Sequence, residues 1–242
     1  MIKFFRKIRK NLLNEGKTTR YFKYAIGEIV LVVIGILIAL QINNWNEKRN
    51  QINIQKAIYN IIKEDLVSDI KEFQPVIKRY EEKRKTDFEK ILNYKANIEN
   101  QKEMLNIYKT FAGFEDVSIN ERGINLFNQF SSNSISIDEV ITKDISQFYN
   151  NYITEIKTAQ VELSDSFTDN QKYFQNFEWY SFFYIDKKMS IEALQFFANN
   201  TKAKNKLTFF YVLFGMYIDE LKRFNTDAEA LILEIDKYVK DK

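Results

Sequence analysis

Apolar side chains along this chain follow two different periods. From Tyr24 to Ile42 they run almost unbroken, YAIGEIVLVVIGILIALQI, with only Tyr24, Glu28 and Gln41 polar or amphipathic, which predicts a helix long enough to span a bilayer. Beyond it they recur at intervals of three and four. Ile58, Ile61, Ile62, Leu66, Ile70, Phe73, Ile77 and Tyr80 form one stripe, continued by Phe88, Ile91 and Ile98. Ile141, Ile145, Phe148, Tyr152, Ile156, Leu163, Phe167 and Phe174 form a second, and Leu207, Phe210, Phe214, Ile218, Leu221, Ala228, Leu231, Ile235 and Tyr238 a third. Each has the spacing of an amphipathic helix. Pro75 predicts a kink in the first, because its ring crowds the preceding turn and it lacks an N–H. The stretch 78–90, KRYEEKRKTDFEK, reads as mainly solvated.

Between the stripes the pattern is less regular. Gly113 is expected to close a short helix from Glu103, and Ser118 with Glu121 resembles a capping box opening a helix that runs to about Phe130. Residues 131–138, SSNSISID, read as a loop, and Ser190 is expected to cap a helix over 191–199. With six glycines and one proline in 242 residues, tight turns are scarce and a mostly-α fold follows. The expected architecture is one N-terminal transmembrane helix and an elongated antiparallel helical bundle, divided as 1–23 basic segment, 24–42 span and 43–242 bundle.

Charge adds orientation. Residues 1–23 carry eight basic side chains against the single acid Glu15, whereas residues 43–242 carry 28 basic and 31 acidic ones. Lys and Arg are retained on the cytoplasmic side, so the N-terminus is expected in the cytoplasm and the bundle in the periplasm of a bacterial inner membrane. The apolar run exceeds a signal-peptide core and leads into Gln-Ile-Asn-Asn-Trp, not a small-x-small cleavage site, so an uncleaved anchor is expected. Tyr21, Tyr24 and Trp45 supply interfacial rings. Ahead of the span, Ile2, Phe5, Ile8 and Leu12 share a helical spacing, while Lys3, Arg6, Lys7, Arg9 and Lys10 fall largely elsewhere. That pattern predicts an interfacial helix whose cations meet lipid head groups. The interleaved apolar residues and the adjacent span argue against nucleic acid as the partner.

Inside the span, Glu28, Gly35 and Ala39 fall within about 20° of one another around the axis. Gly35 and Ala39 permit close helix approach and a protonated Glu28 could hydrogen-bond across it, so this stripe is the candidate helix–helix interface. The competing reading has Glu28 reaching the inner interface to pair with Arg20 or Lys23.

The stretch Tyr24 to Glu47, YAIGEIVLVVIGILIALQINNWNE, with the preceding MIKFFRKIRKNLL, resembles the N-terminal signature of a family of single-span proteins of unknown function from Bacteroidota, the phylum that includes flavobacteria. Further on, INLFNQFSSNSISIDEVITKDISQFYNNY resembles that family's aromatic helix, polar turn and helix ending in paired tyrosines, with the second of the pair replaced here, leaving Tyr149 and Tyr152. The resemblance implies an inner-membrane anchor and a helical extracytoplasmic domain. It implies no activity and no site residues.

Reaction chemistry is thin. The chain has no histidine and no cysteine, which removes the usual general base, thiolate, zinc site and disulfide. No phosphate-binding loop, dinucleotide fingerprint or EF-hand is present, and the acidic pairs Glu64-Asp65 and Glu81-Glu82 read as solvated helix faces. A carboxylate-only glycosidase is the one catalytic option left. No enzyme role, cofactor or metal is therefore expected. The most unusual composition is Tyr173 to Tyr184, where eight of twelve residues are aromatic. Rings on α-helical Phe209, Phe210, Tyr211, Phe214 and Tyr217 are expected to face them. Either the cluster is thick core, the favoured reading, or Tyr173, Phe177, Trp179, Tyr180 and Phe183 form a partner or ligand surface.

Function is accordingly expected to be that of a membrane-anchored interaction or scaffold module, acting by self-association or by binding another envelope component. The alternative is a ligand-sensing module; residues 1–23 are too few for an output domain, so it would signal through a separate partner.

Overall fold

The computed structural model describes residues 18–93, 113–131 and 139–241, together with Arg6, Met104, Leu105 and Tyr108. These residues are mostly helical and contain no strand. In chain order the elements are α1 (Thr18–Arg79), a π-helical turn (Tyr80–Arg84), α2 (Lys85–Leu92), α3 (Arg122–Ser131), α4 (Glu139–Phe174), α5 (Trp179–Tyr184), α6 (Ile191–Asn199) and α7 (Thr201–Asp241). The chain divides into two compact units, residues 1–55 and 56–242, and α1 contributes to both.

In the first unit, every apolar side chain from Ile26 to Ile42 is exposed, while Glu28 is half-buried. Among the described residues this is the one helix long and apolar enough to cross a membrane.

The second unit is built on three long stretches whose pairings fix their directions. Tyr80 stacks on Phe214, Phe73 lies 4.8 Å from Phe224 between ring centroids, and Lys63 pairs with Asp236 at 2.7 Å, so α1 and α7 run antiparallel. Phe167 meets Phe210, Gln160 meets Tyr217 and Phe148 meets Phe224, so α4 and α7 also run antiparallel, and they pack more closely than any other two helices. Phe224 thus touches rings from both α1 and α4. The three predicted stripes supply most of this core: Ile62, Leu66, Phe73, Ile145, Ile156, Leu163, Phe210, Phe214, Ile218 and Leu221 are all buried.

Local detail follows the sequence in part. Ser190 caps α6 as expected, its hydroxyl accepting from the Ala193 N–H at 3.1 Å. Pro75 does not interrupt α1, which continues to Arg79. The irregularity comes at the π-helical turn, where the Lys85 N–H donates to the Tyr80 carbonyl, one residue farther than α geometry allows. The stretch 78–90 is solvated on one side only. Tyr80 and Phe88 are buried, and Arg84 sits 5.1 Å from the Phe214 ring while donating to the Gly113 carbonyl.

One expectation about the middle of the chain needs correction. The capping box at Ser118 does not form, because Ser118 is exposed and α3 begins only at Arg122. Residues 113–121 instead form a non-helical strap. It is tied by Glu115 to Arg79 and Arg84, by the Val117 carbonyl accepting from Gln160, and by the Glu115 carbonyl accepting from the Tyr217 hydroxyl. Met104, Leu105 and Tyr108 are described, and Met104 and Tyr108 are buried; Glu103, Ile98 and the loop over 132–138 lie outside the described residues.

Candidate functional site

The residues singled out from sequence fall in three places. Of the basic candidates, Arg6 is exposed, and Lys3, Lys7, Arg9 and Lys10 lie outside the described residues. Gly35 and Ala39 are exposed, and a Cβ added at Gly35 would meet nothing within 4 Å. The aromatic segment is a turn leading into α5, and it is mostly interior: Phe174, Trp179 and Phe183 are buried, Tyr173, Phe177 and Tyr180 half-buried. Its facing rings differ from those expected. Phe196 lies 4.2 Å from Phe177 and Phe197 lies 5.0 Å from Trp179, with Tyr108 4.2 Å from Phe197, so α6 supplies the opposing surface. From α7, Phe210 and Leu207 line the remaining void, whereas Phe214 turns to Tyr80 and Phe88. That void is about 30 Å³, the room of a single water.

A second polar centre lies under α3. The pair Glu64-Asp65, read as a solvated face, is split: Glu64 is exposed but Asp65 is buried, and Asp69 one turn on is fully buried. These two carboxylates cap α3 from α1. Asp65 accepts from the Gly123 N–H at 2.7 Å and pairs with Arg122 at 3.0 Å; Asp69 accepts from both the backbone N–H and the side-chain amide of Asn120. Acceptors at a helix N-terminus satisfy its free N–H groups and its positive dipole end. The approach is so close that a Cβ at Gly123 would come within 2.7–2.9 Å of Ile62, backbone atoms included. Burial raises the Asp69 carboxyl from 3.8 to about 7, against the lowering effect of the Asn120 hydrogen bonds and with the nearby carboxylates of Asp65 and Glu72 adding to the rise. A proton held near neutrality is what a general acid or base needs. Asp69, however, has no exposed surface and spends its acceptors on Asn120. Its role here is to hold α3. Among the described residues, no group of three acidic side chains is placed to bind a metal.

A wide groove of about 920 Å³ opens between α4 and α7. Its floor is Ser166 and Asn170 of α4, only 8% and 5% exposed, and neither has a hydrogen-bond partner among the described residues. One wall is apolar, formed by Phe209 and Leu213 of α7. Phe209, Val212 and Met216 continue as an exposed apolar strip at helical spacing. The rim is charged. Lys206 pairs with Asp169, and the ammonium groups of Lys202 and Lys206 sit 4.9 and 5.5 Å from the centre of the Tyr173 ring. Glu162 and Asp165, also on α4, are exposed and make no ion pair among the described residues. Of the sequence candidates only Tyr173 borders this groove. The signal that could have revealed it is the phase of α4: Leu163, Ser166, Asn170 and Phe174 succeed one another at three and four, so two polar residues occupy core positions.

A family model described as a family of unknown function, DUF6090, matches residues 28–180, more than half of the chain. No curated protein and no solved structure matches it.

Proposed function

We propose that this chain, which belongs to the DUF6090 family of unknown function, is a membrane-anchored interaction module whose helical unit binds an envelope component through the α4–α7 groove. The observation that carries the reading is the groove floor. Ser166 and Asn170 stand at core positions of α4 and have no hydrogen-bond partner among the described residues, yet they line a groove of about 920 Å³, within the range of ligand sites. The exposed strip Phe209–Val212–Met216 offers adjoining apolar contact of the kind that marks interaction surfaces.

The exposed apolar helix over 24–42 supports an anchor, since the apolar side chains from Ile26 to Ile42 are left uncovered. With the basic residues ahead of it, the reading is a single span in a bacterial inner membrane, N-terminus in the cytoplasm and helical unit in the periplasm. Self-association through Glu28, Gly35 and Ala39 is part of the same proposal. A ligand-sensing role is the second reading, favoured by the polar floor of the groove. No catalytic role is proposed, because among the described residues the carboxyl raised toward neutrality, Asp69, is enclosed beneath α3.

The test is purification of the full-length protein from its native host in mild detergent, with measurement of complex mass and of stoichiometric companions. A defined companion, lost on Phe209→Asp but retained on a distant surface change, is the expected result. A companion-free monomer overturns the reading.

A further inference from the structure

The α4–α7 groove is electrically polarised along its length, and we infer that it takes a short free peptide, bound by its ammonium at one end and its carboxylate at the other. This rests on the groove being the interaction site proposed above and names what it recognises. The pairings along the two helices set the order. Gln160 meets Tyr217, Phe167 meets Phe210, Asp169 meets Lys206 and Tyr173 lies beneath Lys202. Glu162 and Asp165 therefore occupy the end nearer Tyr217, beside Leu213, and Lys202 and Lys206 the other end.

Charge at the two ends is unbalanced in opposite senses. At the first, two carboxylates stand without cationic partners among the described residues. At the second, two ammonium groups face one carboxylate, Asp169, which already pairs with Lys206. A cation fits the first end and an anion the second. Between Glu162 and Tyr173 there are eleven helical steps, about 16 Å, the reach of four or five extended residues at about 3.5 Å each. The middle of the groove matches what lies between a peptide's termini. Asn170, 5% exposed, presents an amide that both donates and accepts, complementary to a backbone N–H and C=O, with Ser166 beside it. Phe209 and Leu213 offer a surface for an apolar side chain. An apolar lipid chain would leave both charged ends unsatisfied, and a simple anion would meet Glu162 and Asp165.

The experiment is calorimetric titration of full-length protein in detergent with the tetrapeptide Ala-Leu-Leu-Ala, its N-acetylated form and its C-amidated form. The free peptide is expected to bind, with acetylation and amidation each weakening it at least tenfold. The double change Glu162→Gln with Asp165→Asn, both at exposed positions, should erase the acetylation effect while keeping the amidation effect, and Asn170→Ala should weaken all three forms. No binding up to millimolar peptide, or equal affinity for the three forms, overturns the inference. Sensitivity to amidation alone also overturns it, in favour of the tail of a protein partner. A native companion that requires Phe209, found alongside silent peptide titrations, would remove this assignment and leave the interaction module standing.

Discussion

Asp65 and Asp69 under α3, and Ser166 and Asn170 between α4 and α7, are all polar side chains buried in one helical unit, yet their surroundings are opposite. The aspartates meet a helix end brought close enough to use the acceptors they offer, through Gly123, Arg122 and Asn120. The serine and asparagine meet open space. Burial of a polar group is stabilising only where its partner arrives with it. The first pair therefore reads as architecture, and the second as a place where a partner is still to come.

That contrast can be broken at several points, and the largest effect is expected at the tightest contact. Gly123→Ala would drive a methyl group into the Ile62 backbone. It should destabilise the unit by about 3 kcal/mol, measured by chemical denaturation of the full-length protein in detergent. Asp69→Ala should cost about 2 kcal/mol at pH 5, because it leaves the Asn120 donors unmatched. A cost below about 0.5 kcal/mol for either, the size of an ordinary surface change, would mean that α3 is not held from α1.

The pH dependence sharpens the same point. The Asp69 carboxyl titrates near 3.8 in the unfolded chain and about 7 in the folded one, so the folded state binds more protons across that interval. Its stability contribution is complete below about pH 4, declines as pH rises and is lost by about pH 7. The groups around it are Asp65, Glu72, Asn120 and Tyr149, and the Tyr149 hydroxyl is itself pushed upward by burial and by these two aspartates. Wild type should lose melting temperature relative to Asp69→Asn between pH 4 and 7; parallel curves would contradict this. At the groove the sign reverses. Asn170→Leu should raise stability by about 1 kcal/mol, since it places apolar carbon at a core position of α4 without breaking a hydrogen bond among the described residues, and a loss of similar size would mean that Asn170 is structural. The smallest effect is expected at Phe209→Ser, within about 0.5 kcal/mol, because that ring is 59% exposed.

How much of this is legible in the chain depends on whether the determinant is local. The three stripes mark the long helices, and Ser190 marks the start of α6, because periodicity and a cap each reside within a few residues. The caps of α3 are hidden, since their acceptors sit more than fifty residues upstream. Asp69 nonetheless leaves a trace: it interrupts a seam of Ile62, Leu66, Phe73, Val76 and Tyr80 at a position that should be apolar. Asp65 is obscure for a related reason, as adjacency to Glu64 says nothing about which of two neighbouring side chains faces inward. The groove requires two helices to be set side by side, and only Ser166 and Asn170, polar residues in the phase of Leu163 and Phe174, hint at it. The aromatic segment stands out by composition, but its partners on α6 are not deducible from density of rings alone.

The π-helical turn at Tyr80–Arg84 has a consequence for how this gene can vary. An extra residue is accommodated there without ending the helical path. Deleting one residue so that the turn relaxed to α geometry would leave Tyr80 and the Phe88 side chain seven positions apart, within about 20° of two full α turns, so Phe88 and Ile91 would stay on the buried side. Glu81, Glu82 and Lys83 point to solvent, and single-letter changes there should pass unnoticed. The loss of one whole codon from the same five should be tolerated as well, because this turn carries a residue to spare, whereas the same loss within the buried stretch of α1 would put every later side chain about 100° out of phase.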